Sequence, residues 1–252
     1  MVIQTSLKKI RPGSDTAVLF IHGILGNPMH FAFLFPEVKH ASVYSLLLDG
    51  HGKDAGALGK TSMTKWKAQV RHTIRELSGR YQKIYLVAHS MGTLFAMEEA
   101  ISRPARIRGL FLLNVPLQIR LKPELFFTCG KVFLGCAKKT EPHVWGAKTC
   151  YGIKRDRKLW RYLFWIPRYL ELFREICRMK RRMYRIGVPV RVFHADLDEM
   201  VGSASLSYWK RVPQAEIFRL AHSTHFYYAP EDKRILLQAF RTFLEEETGR
   251  TD

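Results

Sequence analysis

Short apolar runs alternate along the chain with longer stretches in which apolar residues recur every three or four positions. Uninterrupted apolar runs are typical of strands buried on both faces, whereas the wider spacing is typical of helices with one buried face. The predicted strands are 17–21, 42–48, 84–88, 107–113, 188–193 and 215–220. Their alternation with helical stretches predicts an α/β fold with a mostly parallel central sheet flanked by helices.

The helical stretches lie between and after these strands. Ser62 offers an N-cap to a helix that ends near Gly79, and shorter helices are predicted at 29–38, 94–101 and 203–211. The residues that the capped helix places on one face are Trp66, Val70, Ile74 and Leu77. The residues that a closing helix at 231–246 is expected to turn inward are Ile235, Leu236, Ala239, Phe240 and Phe243.

The alternation stops at Asn114, and residues 115–185 contain no clear strand. This segment is basic and rich in aromatic residues, and its spacing is helical. It therefore predicts a helical lid, or cap, inserted into a core made of residues 1–114 and 186–252. One helical face of the cap, expected to pack over the sheet because helices bury such faces by default, carries Tyr169, Leu172, Phe173, Ile176 and Met183.

The charge of the chain is concentrated in this cap. The whole chain has a net charge of +19, and residues 115–185 hold 18 Lys and Arg against 5 Asp and Glu, which gives +13. The cap is either a solvated lid over the site or also a contact with an anionic membrane surface through residues 154–185, where basic residues stand beside Trp, Tyr and Phe. The candidate contacts are Trp160, Trp165, Arg161 and Arg168. An acidic substrate is a further alternative, and nucleic acid is not expected because no nucleic-acid motif is present.

Length and composition predict one large cytoplasmic domain. The first eleven residues contain no apolar leader, and no uncharged apolar run approaches the ~20 residues that a membrane-spanning helix needs. The four cysteines, none in C-x-x-C spacing, are expected to be free thiols. A peripheral location at the membrane is the alternative.

The stretch from Ala88 to Gly92, Ala-His-Ser-Met-Gly, leaves almost no residues between a predicted strand and a predicted helix. The turn must be sharp, with Ser90 at its apex, which is the setting of a nucleophile elbow. Ala88 stands where glycine is usual in G-x-S-x-G. The alternative is that Ser90 is only a small residue in a strand-to-helix turn.

A serine nucleophile needs a base, and the base needs a group that orients it. His225 follows the last predicted strand, and Asp198 follows the strand before it. Asp196 competes with Asp198 for the acid, and His222 competes with His225 for the base. The small residues before His225 favour that histidine, and geometry must decide the roles.

Five segments in order resemble the α/β-hydrolase superfamily and, within it, the carboxylesterase and monoacylglycerol lipase group with a lid, in the set that includes S33-type serine aminopeptidases. They are His-Gly-Ile-Leu-Gly-Asn from His22, Asp-Gly-His-Gly from Asp49, the Ser90 elbow, Asp-Glu-Met-Val from Asp198 and Thr-His-Phe from Thr224. The first segment lacks the His-Gly-Gly-Pro-Gly of proline-specific aminopeptidases, which favours ester substrates over peptides.

The resemblance implies roles for individual residues. Ser90 is the expected nucleophile, His225 the base and Asp198 the acid, the last because its Asp-x-x-Val spacing matches the family. The backbone N–H groups of Ile24 and Met91 are expected to form an oxyanion hole. The residues expected to bind substrate are His22, Gly23, Leu25, His89 and Val201.

These observations predict a serine hydrolase that cleaves small-molecule or lipid carboxylic esters through an acyl-enzyme. No cofactor is expected, and no metal site, since no H-E-x-x-H or paired Cys/His spacing occurs. The alternative is a catalytically weak binding protein with a hydrolase fold, docked to anionic membranes or acidic partners through its basic cap. The presence of Ser90, Asp198 and His225 together favours the enzyme.

Overall fold

Seven strands form one sheet in the order β1-β3-β2-β4-β5-β6-β7. The computed structural model of the chain describes residues 5–102 and 105–248, with side chains to residue 245. The strands are β1 (Leu7–Lys9), β2 (Thr16–Ile21), β3 (Ser42–Leu46), β4 (Lys83–His89), β5 (Ile107–Leu113), β6 (Val190–Ala195) and β7 (Ala215–Leu220). All neighbours pair in parallel except β1 with β3. The predicted α/β fold with a mostly parallel sheet is therefore confirmed.

Helices cover both faces of this sheet. They are α1 (Ala55–Gly59), α2 (Met63–Ser78), α3 (Met91–Ser102), α4 (Pro123–Leu134), α5 (Pro142–Cys150), α6 (Ile166–Lys180) and α7 (Pro230–Thr248). One face of the sheet packs in a core with α2, α3 and α6, and the other packs with α7. Because β2 to β7 run in parallel, their carboxyl ends lie at the same edge of the sheet, where α/β sheets place their ligand sites.

The sequence predicted α2 in detail. Ser62 caps it by accepting a hydrogen bond from the Lys65 N–H at 3.2 Å. The buried side chains of this helix are Met63, Trp66, Val70, Ile74 and Leu77, which include all four predicted positions.

Two predicted helices are instead shorter or tighter turns. Residues 29–38 form two 3₁₀ segments, Pro28–Phe31 and Phe35–Glu37, and 203–211 form a third, Ser203–Arg211. Pro36 supplies no N–H donor, so it breaks the hydrogen-bond ladder that one continuous helix would need. The N-cap position of this third segment is occupied by Gly202.

Two inward-facing assignments are wrong. Ile235 is 46% exposed on α7, and Phe173 is 47% exposed on α6. Each follows or precedes a buried residue by one position, which rotates it by about 100° around the helix. The buried stripe of α6 comprises Leu172, Ile176 and Met179 and is narrower than predicted.

The segment between β5 and β6, residues 115–185, contains α4, α5, the 3₁₀ segment Leu159–Trp165 and α6, and is called the insertion below. It contacts the core through a parallel bridge between Asp54 and Lys154 and an antiparallel bridge between Ile119 and Val201. The Trp165 indole N–H also donates to the Ala55 carbonyl at 2.9 Å. The division into a core and a lid stays a prediction.

The four cysteines are free, and Cys150 alone among them is buried. Within the described ranges, no helix is long and apolar enough to cross a bilayer.

Candidate active site

Ser90 occupies a sharp turn between β4 and α3. Its φ angle is +51°, in the left-handed region, which costs a non-glycine residue about 1 kcal/mol. Three hydrogen bonds hold the turn: Ser90 N–H donates to Leu113 O at 2.9 Å, and Ser90 O accepts from the Thr93 N–H at 2.9 Å and the Thr93 hydroxyl at 2.6 Å. The geometry is that of a strand-turn-helix elbow.

Glycine is required beside this serine by close backbone approach. A Cβ on Gly92 would lie 2.3 Å from the Ile21 carbonyl oxygen, and a Cβ on Gly23 would lie 2.9 Å from Ser90 Cβ. Ala88, by contrast, is fully buried in β4, paired with Ile21 on β2 and Leu112 on β5. The structure therefore accommodates a methyl group at the first position of the motif but not at the last.

Replacing Gly92 with alanine is expected to lower the free energy of unfolding by about 3 kcal/mol, because the added methyl overlaps backbone that cannot move aside. Chemical denaturation measures the change. Gly130→Ala is the matched control, since a Cβ there meets nothing within 4 Å, and alanine in helix α4 should stabilise by ~0.5–1 kcal/mol. Equal stability of Gly92→Ala and the wild type would contradict the packing described.

Asp198 and His225 meet at the carboxyl ends of β6 and β7. Asp198 Oδ2 lies 2.7 Å from His225 Nδ1, and both residues are only 1% exposed. The other carboxylate oxygen, Oδ1, accepts from the N–H groups of Met200 and Val201 at 2.7 and 2.8 Å. The carboxylate is thus held rigidly against the imidazole, which fixes Nδ1 as the protonated nitrogen.

Asp196 and His222, the alternative candidates for the acid and the base, do not take part in this buried pair. Asp196 accepts from the exposed Arg219 guanidinium at 3.0 Å. His222 is exposed, and its N–H donates to Asp232. The structure therefore brings Asp198, and not Asp196, to the buried histidine.

Main-chain contacts fix the position of His225. Its N–H donates to Glu199 Oε2 at 3.1 Å, and its carbonyl accepts from His89 Nε2 at 3.0 Å and Asn114 Nδ2 at 3.3 Å. Asn114 also accepts from the Ala195 N–H at 2.9 Å, so it ties β5, β6 and the His225 loop together. Sequence reasoning missed the roles of Asn114 and Glu199. For Asn114 a signal was present, because this polar residue directly follows the buried apolar strand β5.

Burial lowers the pKa of His225, but the charge of Asp198, its hydrogen bond and the charge of Glu199 outweigh burial. The pKa of His225 is therefore raised above its ordinary value of 6.5. Burial lowers the pKa of His30 to about 3 and that of His51 to about 4. The pKa values of His22 and His89 are also well below 6.5, chiefly because of burial. His225 is thus the one histidine of this cluster whose surroundings favour its protonated form.

The His225 ring contacts the ring of His89, the residue that precedes Ser90 in the elbow. The centroids of the two rings are 4.6 Å apart, and His89 stacks on His30 at 3.7 Å. Among the described residues, the Ser90 hydroxyl makes no hydrogen bond, to His225 or to any other group. Catalytic hydrogen bonds of this kind are often long before substrate binds.

Two backbone N–H groups next to Ser90 are available for a ligand. Met91 is the first residue of α3, so its N–H has no acceptor within the helix. Ile24 follows Gly23, whose backbone lies against Ser90. In the part of the chain that the structure describes, neither N–H donates to a protein acceptor.

The residues predicted to bind substrate divide into two groups. His22 and Val201 already have structural contacts: His22 Nε2 accepts from the Leu48 N–H at 3.1 Å and its Nδ1 donates to Gly23 O at 2.8 Å, while Val201 pairs with Ile119. Gly23, Leu25 and His89 lie at or beside the elbow, and the His89 ring also has a structural contact, its hydrogen bond to the His225 carbonyl. Leu25 has a φ of +58° and is only partly buried. Their contact with a substrate stays a prediction.

The insertion contacts the loop next to this site. The Gly152 N–H donates to Leu25 O at 2.7 Å, and the Gly52 N–H donates to Gly152 O at 2.6 Å. A Cβ on Gly152 would lie 2.0 Å from Gly26 O, so the two chains touch backbone to backbone. Cys150 adds a contact from its Sγ to His30 Nδ1 at 3.2 Å. Ser90 itself is only 7% exposed.

The family model described as "alpha/beta hydrolase fold" matches residues 16–128, which include the first loop, the elbow and β5. The chain has the α/β-hydrolase fold. Beyond the residues that this model matches, the sheet continues through β6, β7 and the loops that carry Asp198 and His225. A search of curated proteins by sequence finds no significant match.

Solved hydrolase structures resemble the whole chain. One, from a study of the metagenome-derived lipolytic enzymes LipS and LipT, has a TM-score of 0.74 at 19% identity, covering 96% of this chain and 98% of that one. A monoacylglycerol lipase from Paleococcus ferrophilus has a TM-score of 0.65 at 17% identity, covering 96% and 98%. A structure from a study of carboxylesterases of Nitrososphaera gargenis has a TM-score of 0.66 at 14% identity, covering 97% and 92%. At these identities the likeness establishes the fold alone.

Proposed function

We propose that this hydrolase-fold protein is a serine hydrolase that cleaves carboxylic esters through an acyl-enzyme intermediate. The observation that carries the proposal is the 2.7 Å hydrogen bond between buried Asp198 and His225, on the strand ends next to the Ser90 elbow. A buried carboxylate on an imidazole beside a strained serine is the arrangement that activates a hydroxyl nucleophile.

In the acylation step the Ser90 oxygen attacks the ester carbonyl carbon. His225 Nε2 takes the hydroxyl proton, and Asp198 stabilises the imidazolium that forms. The oxygen of the tetrahedral intermediate accepts hydrogen bonds from the Ile24 and Met91 N–H groups, each worth ~3 kcal/mol in comparable sites. When the intermediate collapses, the carbon–oxygen bond of the leaving alcohol breaks, and His225 gives that alcohol the proton.

In the deacylation step water replaces the alcohol. His225 takes a proton from the water as it attacks the acyl carbon, and the second tetrahedral intermediate uses the same two N–H groups. Its collapse returns the proton to Ser90 and releases the carboxylic acid. The chain's own residues supply the nucleophile, the base and the electrostatic stabilisation, and the cycle leaves them unchanged.

The ester class is proposed from two supports. The first loop reads His-Gly-Ile-Leu-Gly from His22, which resembles ester-cleaving members of the superfamily. The similar structures include lipolytic enzymes, carboxylesterases and a monoacylglycerol lipase. A small-molecule or lipid ester is therefore the proposed substrate.

Reaction of the folded protein with a fluorophosphonate probe, followed by peptide mapping, tests the proposal. Labelling is expected at Ser90, because only an activated serine reacts. A panel of p-nitrophenyl esters from acetate to palmitate then reports the depth of the acyl site. An unlabelled but folded protein, with no hydrolysis of any ester in the panel, would contradict the proposal.

A further inference from the structure

The insertion carries most of the large apolar side chains that are exposed in the described part of the chain. Among the described residues, sixteen large apolar side chains are exposed, and twelve of these belong to residues 115–185. Single exposed apolar residues are ordinary, but a concentration in one segment marks an interaction surface. The other four, Ile10, Leu197, Ile217 and Ile235, are scattered over the core.

Seven of the twelve follow one another along the chain. The 3₁₀ segment Leu159–Trp165 exposes four of them, and α6 exposes three, at a spacing of four and three residues that places them on one face of the helix. We call these seven the apolar face: Leu159, Trp160, Leu163, Phe164, Ile166, Leu170 and Phe173. A separate stripe of α6, formed by Leu172, Ile176 and Met179, faces the core. The helix therefore carries a second apolar stripe that its own fold does not cover.

Helix α4 of the insertion also exposes large apolar side chains. Phe126, Phe127 and Leu134 are 67%, 62% and 64% exposed on it. Phe133 of α4 packs edge-on against Tyr162 of the 3₁₀ segment, with ring centroids 5.8 Å apart. The exposed aromatic residues of α4 thus belong to the same part of the insertion as the apolar face.

Positive charge surrounds the apolar face. Residues 154–185 contain 12 Lys and Arg against 3 Asp and Glu, which gives +9. The three acidic residues are all neutralised: Asp156 by Arg161 at 2.8 Å, Glu171 by Arg168 at 2.8 Å and Glu175 by Lys67 at 3.1 Å. The exposed cations that form no ion pair with any described carboxylate are Lys154, Arg155, Arg157, Lys158, Arg174, Arg181 and Arg185.

An open groove joins the two features. It has a volume of about 480 Å³ and lies on α6, where Phe173 and Cys177 stand beside Arg174, Arg178, Arg181 and Arg182. Apolar and guanidinium groups in one shallow groove suit a ligand that offers an anionic group next to hydrocarbon. A phospholipid headgroup with its acyl chains has that composition.

We infer that the apolar face and the cations beside it dock onto the surface of an anionic phospholipid bilayer. The apolar side chains enter the boundary between headgroups and acyl chains, and the guanidinium groups contact lipid phosphates. A second copy of the chain would bring another +9 against this surface, and a nucleic acid would leave the apolar face unused. An anionic bilayer offers a partner both to the apolar face and to the cations beside it. This inference does not depend on the proposed ester hydrolysis.

Flotation of the protein with vesicles tests the inference. Vesicles of phosphatidylcholine alone are compared with vesicles that also contain phosphatidylglycerol, at low and high salt. Binding is expected only to the anionic vesicles, and more weakly at high salt, because salt screens exposed charges. Ser90→Ala should bind like the wild type, so that failure of binding and failure of catalysis are separate results.

Two pairs of variants locate the surface. Arg174→Gln with Arg181→Gln is expected to weaken vesicle binding about 30-fold, from the usual contribution of each basic residue at a membrane. Lys233→Gln with Arg234→Gln, on α7 at the opposite face of the sheet, should leave binding unchanged. Leu163→Gln with Leu170→Gln should also weaken it, whereas Ile217→Gln with Ile235→Gln should not.

Three results would overturn the inference. They are equal binding to neutral and anionic vesicles at low salt, equal losses in the insertion variants and the α7 controls, and no binding to protein-free vesicles at all. Sedimentation of the protein without lipid tests whether a second copy of the chain covers the apolar face instead. A dimer that dissociates in the variant Leu163→Gln with Leu170→Gln would assign the apolar face to a second copy.

Discussion

Ser90→Ala is expected to lower kcat for p-nitrophenyl esters by about 10⁶-fold, as loss of the nucleophile does in other serine hydrolases. Without the hydroxyl, no acyl-enzyme forms, and only binding and the oxyanion N–H groups remain to assist water. The fold should persist, because the Ser90 hydroxyl bonds to no described group and the turn is held by main-chain atoms of this residue. Steady-state rates and the thermal midpoint, measured on one preparation, check both parts.

Ser207→Ala is the matched control for this substitution, since Ser207 is exposed on the 3₁₀ segment Ser203–Arg211. It removes the same oxygen and should keep wild-type activity. Full activity in Ser90→Ala with an intact fold would rule out the proposed mechanism.

Asp198→Asn is expected to lower kcat by about 10⁴-fold, the loss measured when the triad aspartate of chymotrypsin-type proteases is changed in the same way. Asparagine keeps an oxygen that can accept from the Met200 and Val201 N–H groups, so the loop should stay in place. What is lost is the negative charge that stabilises the imidazolium and the acceptor that keeps the proton on His225 Nδ1.

The pH profile adds a second readout for this variant. Catalysis needs neutral His225, so wild-type activity should fall as the pH drops through the pKa of this residue, which is raised above 6.5. Without the Asp198 charge, burial lowers that pKa, and the acid limb of the activity profile should move to lower pH. Asp196→Asn, whose carboxylate pairs with Arg219, should change neither kcat nor the limb. The reverse outcome, with the loss in Asp196→Asn, would assign the acid to Asp196.

The sheet could be predicted from the sequence because its central strands are buried on both faces and contain almost only apolar residues. Strand β5 begins and ends where the apolar run 107–113 does. Strand β1 could not be predicted, since it has only three residues, two of them exposed lysines, and exists through its pairing with β3. Tertiary contact, rather than local pattern, creates such an edge strand.

Residues of the candidate site could be predicted where a short sequence motif directly follows the end of a predicted strand. Ser90, Asp198 and His225 were each selected in that way, and the structure brings the last two into contact. The groups that hold them were less visible. Asn114 lies 111 positions from His225 and Glu199 lies 26 positions from it, and only the fold shows that both bond to its main chain.

The insertion was the part of the chain whose buried side chains were hardest to predict, and the reason is physical. Its helices are apolar on more than one side, so periodicity could not decide which side faces the core, and Phe173 was assigned to the wrong one. A helix with two apolar stripes has no single direction of amphipathicity.

The backbone contacts between Gly152, Leu25 and Gly52 determine which positions of the insertion tolerate substitution during evolution. Amide hydrogen bonds carry this junction, and they do not depend on which side chains the neighbouring residues bear. Steric contact demands glycine at position 152, and the neighbouring side chains of Cys150 and Ile153 are buried. Exposed positions of the insertion, by contrast, are free to vary without loss of these backbone hydrogen bonds. The insertion can therefore change in sequence while its contact with the loop next to the elbow stays in place.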